Sequence, residues 1–513
     1  MSRSRSKDKK RSAPIARGDR LELIIESLAP GGQGVAKTDG FPIFLDRAAP
    51  QDKVRAYVYD VRKSFALAKI EELLEASPQR ITAPCPVYDR CGGCQWQHLD
   101  YDAQLAAKKE IVIQALTRIG GLSADLIQPP LGAAHQMRYR NKAQFPVRSH
   151  GSGSGMIAGY FEKNSHNLVD IDACPVQPED LDDIFRLLKE SCIRQAIEPY
   201  EEGTHSGLLR HMLIRKSHAS GEALVTLVVN LKGPEELDKK LLEKFKAIAA
   251  DLMNVLPTVA GFCINFNPKR GNRILSDDTV CLVGSAVIEE VLESKDRRMR
   301  FRLSSNSFFQ IHSEQNIVML DKILQEVEQS GYEGKPVIMD AYAGVGTIAL
   351  WLAPLAARVY AVEENPFAAA DGRTNALLNN AGNIDFREGK AEVVLEKFLD
   401  DGINIDILIL DPPRKGLSES VLNSVLKLAP EHLIYVSCNP TTLARDLKLL
   451  EAGLTKDECS DGEEKEEEKI SRSGYKTLRV TPIDMFPQTY HVESVASLKR
   501  SNSNGTIGNL QEV

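Results

Sequence analysis

Apolar residues in the first part of the chain follow the two-residue period of β-strands. The segments LELIIESL, PIFLD, KVRAYVYDVR and FALAKIEEL alternate or run apolar, and the turn-rich stretches APGGQG and KTDG separate them. A five-stranded β-barrel of the OB type fits this length, and such barrels commonly bind oligonucleotides. A small all-β domain without a ligand also fits the spacing.

The hydrophobic pattern changes twice further along the chain. After an amphipathic helix, YDAQLAAKKEIVIQALTRI, strands such as LLRHMLIRK and EALVTLVVNL mix with helices such as LDDIFRLLKESC, which predicts an α+β domain. In the last third, VIMDAYAGVG, RVYAVEEN, IDILILDPP and HLIYVSCNP are near-continuous apolar strands, each followed by helical sequence. Such runs predict a parallel sheet covered by helices on both faces, and hence an α/β domain.

These changes define the predicted domain organisation. The boundaries are a basic arm over 1–17, a β-barrel over 18–76, a central domain over 77–300, an α/β domain over 301–500 with an acidic insert at 457–470, and a tail over 501–513. The arm, the insert and the tail are low in apolar residues, so we expect no regular structure there.

Charge is distributed unevenly along the 513 residues, although the net charge is only -7. The first seventeen residues carry seven Lys or Arg against one acid, and DECSDGEEKEEEK carries eight acids against two lysines. Without that acidic stretch the protein is close to neutral, so a basic face elsewhere fits the composition. No apolar run is long enough to span a membrane, and the N-terminus lacks the apolar core of a secretory signal. We therefore expect a cytoplasmic protein.

A turn of small residues between a buried strand and a helix indicates a ligand site. In MDAYAGVGTIAL, Gly344 and Gly346 allow close approach of the backbone, and Glu363 closes the next strand. The sequence after Gly346 lacks the third glycine of the dinucleotide fingerprint, so a nucleoside fits better than a dinucleotide. Asp411, at the end of ILILDPP, is predicted to lie at the same edge of the sheet.

Cys438 ends the strand HLIYVSC and precedes Asn-Pro, on the edge predicted for Asp411. A single cysteine is more commonly a small buried apolar residue. Here, however, the chain also supplies Glu493 in the otherwise apolar strand VESVASL, an expensive position for a carboxylate unless it is paired or functional. A thiolate and a base of this kind suit methylation of carbon 5 of uracil, which becomes nucleophilic only after a thiolate adds to carbon 6.

Three cysteines are clustered in CPVYDRCGGC, at Cys85, Cys91 and Cys94, and a fourth, Cys174, precedes a proline in DIDACPV. Four thiolates of this kind could hold zinc or an iron–sulfur cluster. Structural zinc more often uses two CxxC pairs, so the spacing leans toward iron. Cys192, Cys263, Cys281 and Cys459 fit ordinary core or loop positions.

Several of these motifs together resemble the RNA 5-methyluridine methyltransferase family. They are DAYAGVGTIAL, DPPRKG, YVSCNPTTLARDL and HVESV, with FFQIH, MRYRNKAQFPV and SHNLVDIDACPV upstream. The resemblance covers about residues 20–498 and implies a class I (Rossmann-like) S-adenosylmethionine methyltransferase domain. It implies Cys438 as nucleophile and Glu493 as general base. It also implies that Gln310, Tyr342, Glu363 and Asp411 contact S-adenosylmethionine.

The branch of that family with a matching cysteine spacing carries a [4Fe-4S] cluster. For this chain the resemblance implies a cluster on Cys85, Cys91, Cys94 and Cys174, with zinc as the lesser alternative. The barrel resembles the TRAM domain of the branch that modifies large-subunit ribosomal RNA. The expected partner is therefore structured RNA, with 23S ribosomal RNA first and tRNA second, and no obligate protein partner is evident.

The segment MRYRNKAQF mixes cations and aromatics in a way that suits RNA binding. Such a mixture also occurs on ordinary strands. The candidates are Arg138, Tyr139, Arg140, Asn141, Lys142 and Phe145. Competing functions are a cytosine-5 methyltransferase, an iron–sulfur redox enzyme and a catalytically silent RNA-binding or assembly protein. The intact glycine turn, Asp411 and Cys438 argue against the silent protein, and the missing pyrophosphate fingerprint argues against the redox enzyme.

Overall fold

The computed structural model describes residues 13–151, 155–453 and 474–501. The predicted acidic insert at 457–470, Cys459, and most of the predicted arm and tail lie outside these ranges. The chain divides into two compact units. The smaller reaches Ile111 and includes Pro487–Tyr490, and the larger takes Val112–Phe486 and resumes at His491. No helix in the described ranges is long and apolar enough to cross a membrane.

The smaller unit contains a six-stranded sheet in the order β1-β5-β6-β4-β3-β2, in which only the β4–β6 pair is parallel. The strands are β1 (Arg20–Ile24), β2 (Ser27–Leu28), β3 (Gly34–Thr38), β4 (Phe41–Leu45), β5 (Lys53–Val61) and β6 (Ala66–Glu75). Only Ile25 and Glu26 separate the two edge strands, and these residues hydrogen-bond to Asp52 and Val35, so the sheet curves into a barrel. The predicted barrel is confirmed.

Alternation of buried and exposed residues explains the barrel core. Val54, Ala56 and Val58 of β5 are fully buried while the residues between them are not. The structure has six strands in the barrel, whereas the sequence predicted five. LELIIESL forms two short strands rather than one, and GVAKT, the sequence of β3, is only weakly apolar.

The larger unit begins with the rest of α1 (Tyr101–Ala115) and a seven-stranded sheet in the order β13-β12-β11-β10-β7-β8-β9. Its strands are β7 (Lys142–His150), β8 (Gly155–Phe161), β9 (Leu168–Asp170), β10 (Leu209–Lys216), β11 (Ala223–Val229), β12 (Val259–Phe266) and β13 (Thr279–Gly284). Its helices are α2 (Glu179–Arg194) and α3 (Lys239–Val255). Only β11 and β12 are parallel, and the α3 crossover joins them. This is the predicted α+β region.

A hairpin of β14 (Val287–Ser294) and β15 (Arg297–Ser304) precedes a second seven-stranded sheet. The strands of this sheet are β16 (Val337–Asp340), β17 (Arg358–Glu363), β18 (Ile384–Glu388), β19 (Ile407–Leu410), β20 (His432–Ser437), β21 (Tyr475–Ile483) and β22 (Glu493–Arg500). The helices are α4 (Ser313–Glu328), α5 (Thr347–Leu352), α6 (Pro366–Leu378), α7 (Ala391–Asp400), α8 (Glu419–Leu428) and α9 (Pro440–Ala452).

The strand order of the second sheet is β18-β17-β16-β19-β20-β22-β21. The five strands from β16 to β20 are parallel, as predicted, whereas β22 runs antiparallel to both β20 and β21. Successive residues of β19 contribute to apolar cores on opposite faces, with Leu408 and Leu410 on one and Ile407 and Ile409 on the other. The sheet is therefore covered on both faces, which confirms the α/β fold.

The chain order places a ligand crevice between β16 and β19. From β16 the chain winds outward through β17 and β18, and from β19 it winds in the opposite direction through β20. In doubly wound sheets, ligands bind at the carboxyl ends of the strands at such a reversal. Asp340 ends β16 and Asp411 directly follows β19, so both acids lie at this crevice.

Candidate active site

Asp340 and Asp411 give the crevice an acidic floor. Asp340 is 1% exposed, and among the described residues its Oδ2 has no hydrogen-bond partner. Burial, reinforced by the charge of Asp411, raises the pKa of Asp340 to about 7. Burial likewise raises the pKa of Asp411 to about 7. A buried carboxylate oxygen without a partner is costly, so this floor suits a ligand that brings positive charge or hydrogen-bond donors.

The glycine turn lies beside these acids and requires its glycines. Gly344 has a φ of 54° and Gly346 a φ of 86°, both in the left-handed region. A Cβ on Gly346 would lie 2.7 Å from Cζ of Phe386. The turn can therefore keep this close packing only with glycine at position 346.

Glu363, at the end of β17, is fixed by two backbone amides. The N–H of Gly344 donates to Oε2 over 2.9 Å, and the N–H of Asn365 donates to Oε1 over 2.8 Å. The carboxylate is thus held at the crevice with its remaining lone pairs available. Contact between Glu363 and ribose hydroxyls stays a prediction.

Gln310 reaches the crevice from the segment before α4, and Asn141 holds that segment. Asn141 Nδ2 donates to the carbonyl oxygen of Gln310 and to Oγ of Ser313, each over 3.0 Å. Its backbone N–H donates to Ile311 O over 2.9 Å. Asn141 is 5% exposed. It therefore fixes the backbone of the predicted cofactor glutamine from inside the protein.

Cys438 and Glu493 face each other at the end of the β20–β22 ladder. The last registered pair is Ser437 and Ser494, so the next positions on the two antiparallel strands are Cys438 and Glu493. Facing residues of such a pair have Cβ atoms about 5 Å apart. Glu493 is 4% exposed, and burial together with the charge of Asp411 raises its pKa well above the usual value.

The turn at Cys438 is fixed by its neighbours. The N–H of Asn439 donates to Ser437 Oγ over 3.2 Å, and Asn439 Oδ1 caps α9 by accepting from the N–H of Thr441 over 3.1 Å. The same asparagine donates from Nδ2 to the carbonyl of Arg414 over 3.0 Å. Asn-Pro after the cysteine therefore positions both the thiol and the segment that carries Arg414.

Arg414 is the site residue that the sequence interpretation did not assign. Burial raises the pKa of the Cys438 thiol, and the charge of Glu493 raises it further. The positive charge of Arg414 lowers it. The charge of Arg414 also lowers the pKa of Glu493. The sequence feature that could have identified Arg414 is its position directly after Asp-Pro-Pro.

One cavity of about 980 Å³ is lined by all six residues that the resemblance assigned to catalysis and cofactor binding. They are Gln310, Tyr342, Glu363, Asp411, Cys438 and Glu493. The volume is at the upper end of small-molecule sites and leaves room for a nucleoside cofactor and a second group. Phe308, which is 68% exposed, and Gln144 also line it.

The segment MRYRNKAQF serves mainly internal contacts. Phe145 is fully buried and stacks on Phe185 with ring centroids 3.8 Å apart, and Asn141 is buried against Gln310. Tyr139 stacks on His312 at 4.5 Å, and Arg138 pairs with Asp182. The hypothesis that Phe145 and Asn141 contact RNA is therefore wrong, because Phe145 is buried in the core and Asn141 is buried by its hydrogen bonds to the segment before α4.

Three of the four predicted cluster ligands lie in the smaller unit, in the segment around Cys85, Cys91 and Cys94. The N–H of Gly93 points at Cys91 Sγ over 3.4 Å, and Arg47 donates to the carbonyls of Cys91 and Cys94 over 3.2 and 3.5 Å. Cys174 belongs to the larger unit. No group of three or more His, Cys, Asp or Glu side chains within the described ranges is arranged to hold a metal ion. The cluster therefore stays a prediction.

The other cysteines behave largely as expected. Cys192 and Cys263 are buried, and Cys281 is partly buried in β13.

Comparison with known proteins identifies two modules. The model of the tRNA (uracil-5-)-methyltransferase family matches residues 100–460, and the TRAM domain model matches residues 15–70. A protein of Halalkalibacterium halodurans described as an uncharacterized RNA methyltransferase is 39% identical over 493 residues, which is 96% of this chain and 100% of that one. A Listeria innocua protein with the same description is 37% identical over 485 residues, covering 94% of this chain and 98% of the relative.

Among solved structures, the fold is similar to that of the Pyrococcus abyssi tRNA (uracil-54, C5)-methyltransferase in complex with S-adenosyl-L-homocysteine. The TM-score is 0.67 at 24% identity, and the match covers 93% of this chain and 100% of the other. The family match spans well over half of the chain and confirms the resemblance found in the motifs. This chain therefore belongs to the tRNA (uracil-5-)-methyltransferase family and is an S-adenosylmethionine-dependent RNA uracil-5 methyltransferase with a TRAM domain.

Proposed function

We propose that this enzyme methylates carbon 5 of a uridine in 23S ribosomal RNA through a covalent bond between Cys438 and carbon 6 of the base. The observation that carries the proposal is the facing position of Cys438 and Glu493 in the cavity that also contains the cofactor residues. A nucleophile and a base on one wall can act in turn on adjacent atoms of one ring.

The first step requires a thiolate. The Cys438 thiol gives its proton to water, and the thiolate sulfur adds to carbon 6. The electrons of the carbon 5–carbon 6 double bond then move toward O4, which makes carbon 5 nucleophilic. Arg414 supports this step, since its guanidinium lowers the thiol pKa that burial and Glu493 raise. S-adenosylmethionine, when bound, supplies the methyl group that carbon 5 takes up.

The last step requires a base. The Glu493 carboxylate takes the proton from carbon 5, the double bond re-forms, and the electron pair of the carbon–sulfur bond returns to Cys438. Glu493 must be ionised to do this, although burial and Asp411 favour its protonated form. A cationic cofactor beside Asp411 would offset the negative charge that raises the pKa of Glu493, so cofactor binding would favour the ionised form of the base.

The donor set of the cavity fits S-adenosylmethionine. Asp411 lines the cavity with a carboxylate, Glu363 brings an oriented carboxylate, and Gln310 lies on a backbone held by Asn141. These residues suit the sulfonium, the ribose hydroxyls and the polar end of the cofactor respectively. Tyr342, partly buried at the glycine turn, offers a ring face for the adenine.

The uracil must leave its stack to reach Cys438, so the enzyme would act on a flipped nucleotide. Phe308 is suited to replace lost stacking, because its ring is largely exposed and borders the cavity. The preference for 23S ribosomal RNA rests on the sequence resemblance, namely the TRAM domain together with the cysteine spacing. A tRNA is the second candidate.

We further propose a [4Fe-4S] cluster on Cys85, Cys91, Cys94 and Cys174, with zinc as the lesser alternative. The support is chemical, because the first three cysteines are close in sequence, Gly93 offers an N–H to Cys91, and the charge of Arg47 lies nearby. Since the methylation needs no electron transfer, the cluster would order the protein and its RNA surface.

The test uses RNA that contains 5-fluorouridine, in which fluorine prevents removal of the carbon 5 substituent. Wild-type protein and Cys438→Ala would be incubated with labelled S-adenosylmethionine and either 23S ribosomal RNA or tRNA, then run on a denaturing gel. We expect a labelled covalent adduct with 23S ribosomal RNA for the wild type alone. An adduct only with tRNA would reassign the substrate. No adduct with either RNA from a protein that binds S-adenosylmethionine would overturn the covalent mechanism.

A further inference from the structure

The loop between β12 and β13, residues 267–278, forms one wall of the active-site cavity. Asn272, Arg273, Ile274, Leu275 and Asp277 of this loop line the cavity. No helix or strand is formed between Phe266 and Thr279. The sequence NPKRGNRILS was not assigned a role by the motifs or by the mechanism.

Three buried side chains hold the carbonyl groups of this loop. Arg210 Nη1 donates to the carbonyls of Asn267 and Lys269, the latter over 2.8 Å. Asn267 Nδ2 donates to the carbonyls of Arg273 and Ile274, each over 2.8 Å. Asn265 Nδ2 donates to the carbonyls of Ser276 and Asp278 over 3.0 and 3.1 Å.

The three anchoring side chains are themselves fixed. Arg210 is 4%, Asn267 2% and Asn265 0% exposed. A loop held by buried donors at six carbonyls has a defined shape despite lacking regular structure.

The middle of the loop carries a run of backbone donors that have no partner in the described chain. Within the described chain, the N–H groups of residues 270–275 make no hydrogen bond, and residues 269–273 are exposed. Lys269, Arg270 and Arg273 add three positive charges, and no acid occurs between 265 and 276. Asp277 and Asp278 close the loop, and Asp277 pairs with Arg273, so the loop keeps one net positive charge, with Lys269 and Arg270 at its other end. Clustered amides and cations form a surface that binds anions.

We propose that the β12–β13 loop binds the phosphates of the nucleotides beside the target uridine. The inference rests on the proposed function, because a base that enters the cavity must bring its backbone past the cavity walls. Phosphate is the anion that such a backbone presents at regular intervals. The contact is independent of sequence and sets the register of the RNA, leaving recognition of the base to the cavity.

The test is the salt dependence of RNA binding. The double variant Lys269→Gln/Arg270→Gln would be compared with the wild type and with Lys239→Gln/Lys240→Gln, which removes two exposed lysines at the start of α3. RNA binding would be measured at several salt concentrations, with 23S fragments that the wild type methylates. Each phosphate contact contributes roughly 0.7 to 0.9 to the slope of log K against log salt concentration, so we expect the slope to fall by about 1.5.

The kinetic expectation is a higher KM for RNA with kcat at saturating RNA and the affinity for S-adenosylmethionine unchanged. The charge-preserving variant Lys269→Arg/Arg270→Lys should keep the wild-type slope. An unchanged slope in the glutamine variant, or an equal fall in the α3 control, would overturn the proposal. If the wild type fails to methylate uracil, the proposed function fails instead, and the two failures are thereby distinguished.

Discussion

Cys438 and Glu493 occupy facing positions one residue beyond the Ser437–Ser494 pair that ends the β20–β22 ladder. This arrangement depends on β22 running antiparallel to β20. Glu493 is the first residue of β22, so in a parallel strand it would lie at the opposite edge of the sheet. The antiparallel strand β22 thus places the buried carboxylate of Glu493 at the sheet edge where the parallel strands end. The proposed nucleophile and the proposed base then belong to different strands that are fixed by a common set of backbone hydrogen bonds.

Replacing Glu493 by Gln should separate the two chemical steps. The amide keeps the shape of the carboxylate but cannot take the carbon 5 proton, so the adduct should form and persist. We expect turnover to fall by about 10²- to 10⁴-fold, the usual contribution of a general base. With ordinary uridine RNA and labelled S-adenosylmethionine, a denaturing gel should show a methylated covalent species that the wild type does not accumulate.

The matched control for this variant is Glu431→Gln, which changes an acid next to His432 at the other end of β20, where the side chain is 52% exposed. It should turn over normally without an adduct. Near-normal turnover by Glu493→Gln would show that another group takes the proton.

Cofactor affinity should depend on pH, because burial raises the pKa of Asp340 and of Asp411 to about 7. Both acids are largely protonated at lower pH and gain negative charge as the pH rises through that value. The cationic sulfonium should therefore bind more tightly, by about tenfold per coupled carboxyl between roughly pH 6 and pH 8. Titration calorimetry over this range would measure the effect.

S-adenosylhomocysteine provides the control for that measurement, because it has the same amino and carboxyl groups but a neutral sulfur. Its affinity should change less over the same pH range, and Asp340→Asn should flatten the curve for S-adenosylmethionine. Parallel curves for the two ligands would show that the acids do not respond to the sulfonium.

The sequence predicted the position of candidate site residues best where those residues lie at the ends of strands. Asp411, Glu363 and Cys438 could be placed because each closes an apolar strand, and parallel strands bring their carboxyl ends to one edge. Arg414 was not assigned and Asn141 was wrongly assigned to RNA contact, since their roles depend on partners that lie far away in the sequence. The same limit explains Phe145, whose aromatic ring suits either RNA or a core until Phe185 is seen to cover it.

The cysteine prediction can be tested by metal analysis of protein purified without oxygen. We expect about four iron and four sulfide ions per chain, with the broad visible absorbance of a [4Fe-4S] cluster. Cys91→Ser should lose most of the iron, because it removes one of the predicted ligands. Cys281→Ser, a partly buried cysteine of β13, should retain it. One equivalent of zinc in place of iron would select the alternative metal, and neither metal would refute the cluster.

Phe308→Ala should weaken RNA use without affecting the cofactor. The ring is 68% exposed beside the cavity, and stacking of a base on an aromatic side chain contributes about 1 to 3 kcal/mol. We therefore expect kcat/KM for RNA to fall by roughly 5- to 150-fold, while the Kd for S-adenosylmethionine stays the same. Leu377→Ala is the matched control, because Leu377 is 81% exposed and does not line the cavity. An equal effect of both changes would exclude a specific stacking role.

Asn141→Asp should impair the cofactor site through the backbone of Gln310. The substitution keeps the size of the side chain but replaces the Nδ2 donor with an oxygen that faces the Gln310 carbonyl, so two hydrogen bonds of 3.0 Å are lost. Leaving a buried carbonyl unsatisfied costs about 1 to 3 kcal/mol, and part of this cost should appear as weaker S-adenosylmethionine binding. We expect KM for the cofactor to rise several-fold, with kcat largely recovered at saturation.

Asn383→Asp distinguishes this positioning role from a general loss of stability. Asn383 Nδ2 also donates to two carbonyls, those of Ala353 and Ala356, over 2.8 and 3.0 Å, but neither of these partners lines the cavity, whereas Gln310 does. Both variants should lower Tm, since both leave carbonyl groups without donors. Only Asn141→Asp should raise KM for S-adenosylmethionine, because only its partner segment carries a residue that faces the cofactor. Equal KM values in the two variants would show that Asn141 supports the fold and not the site.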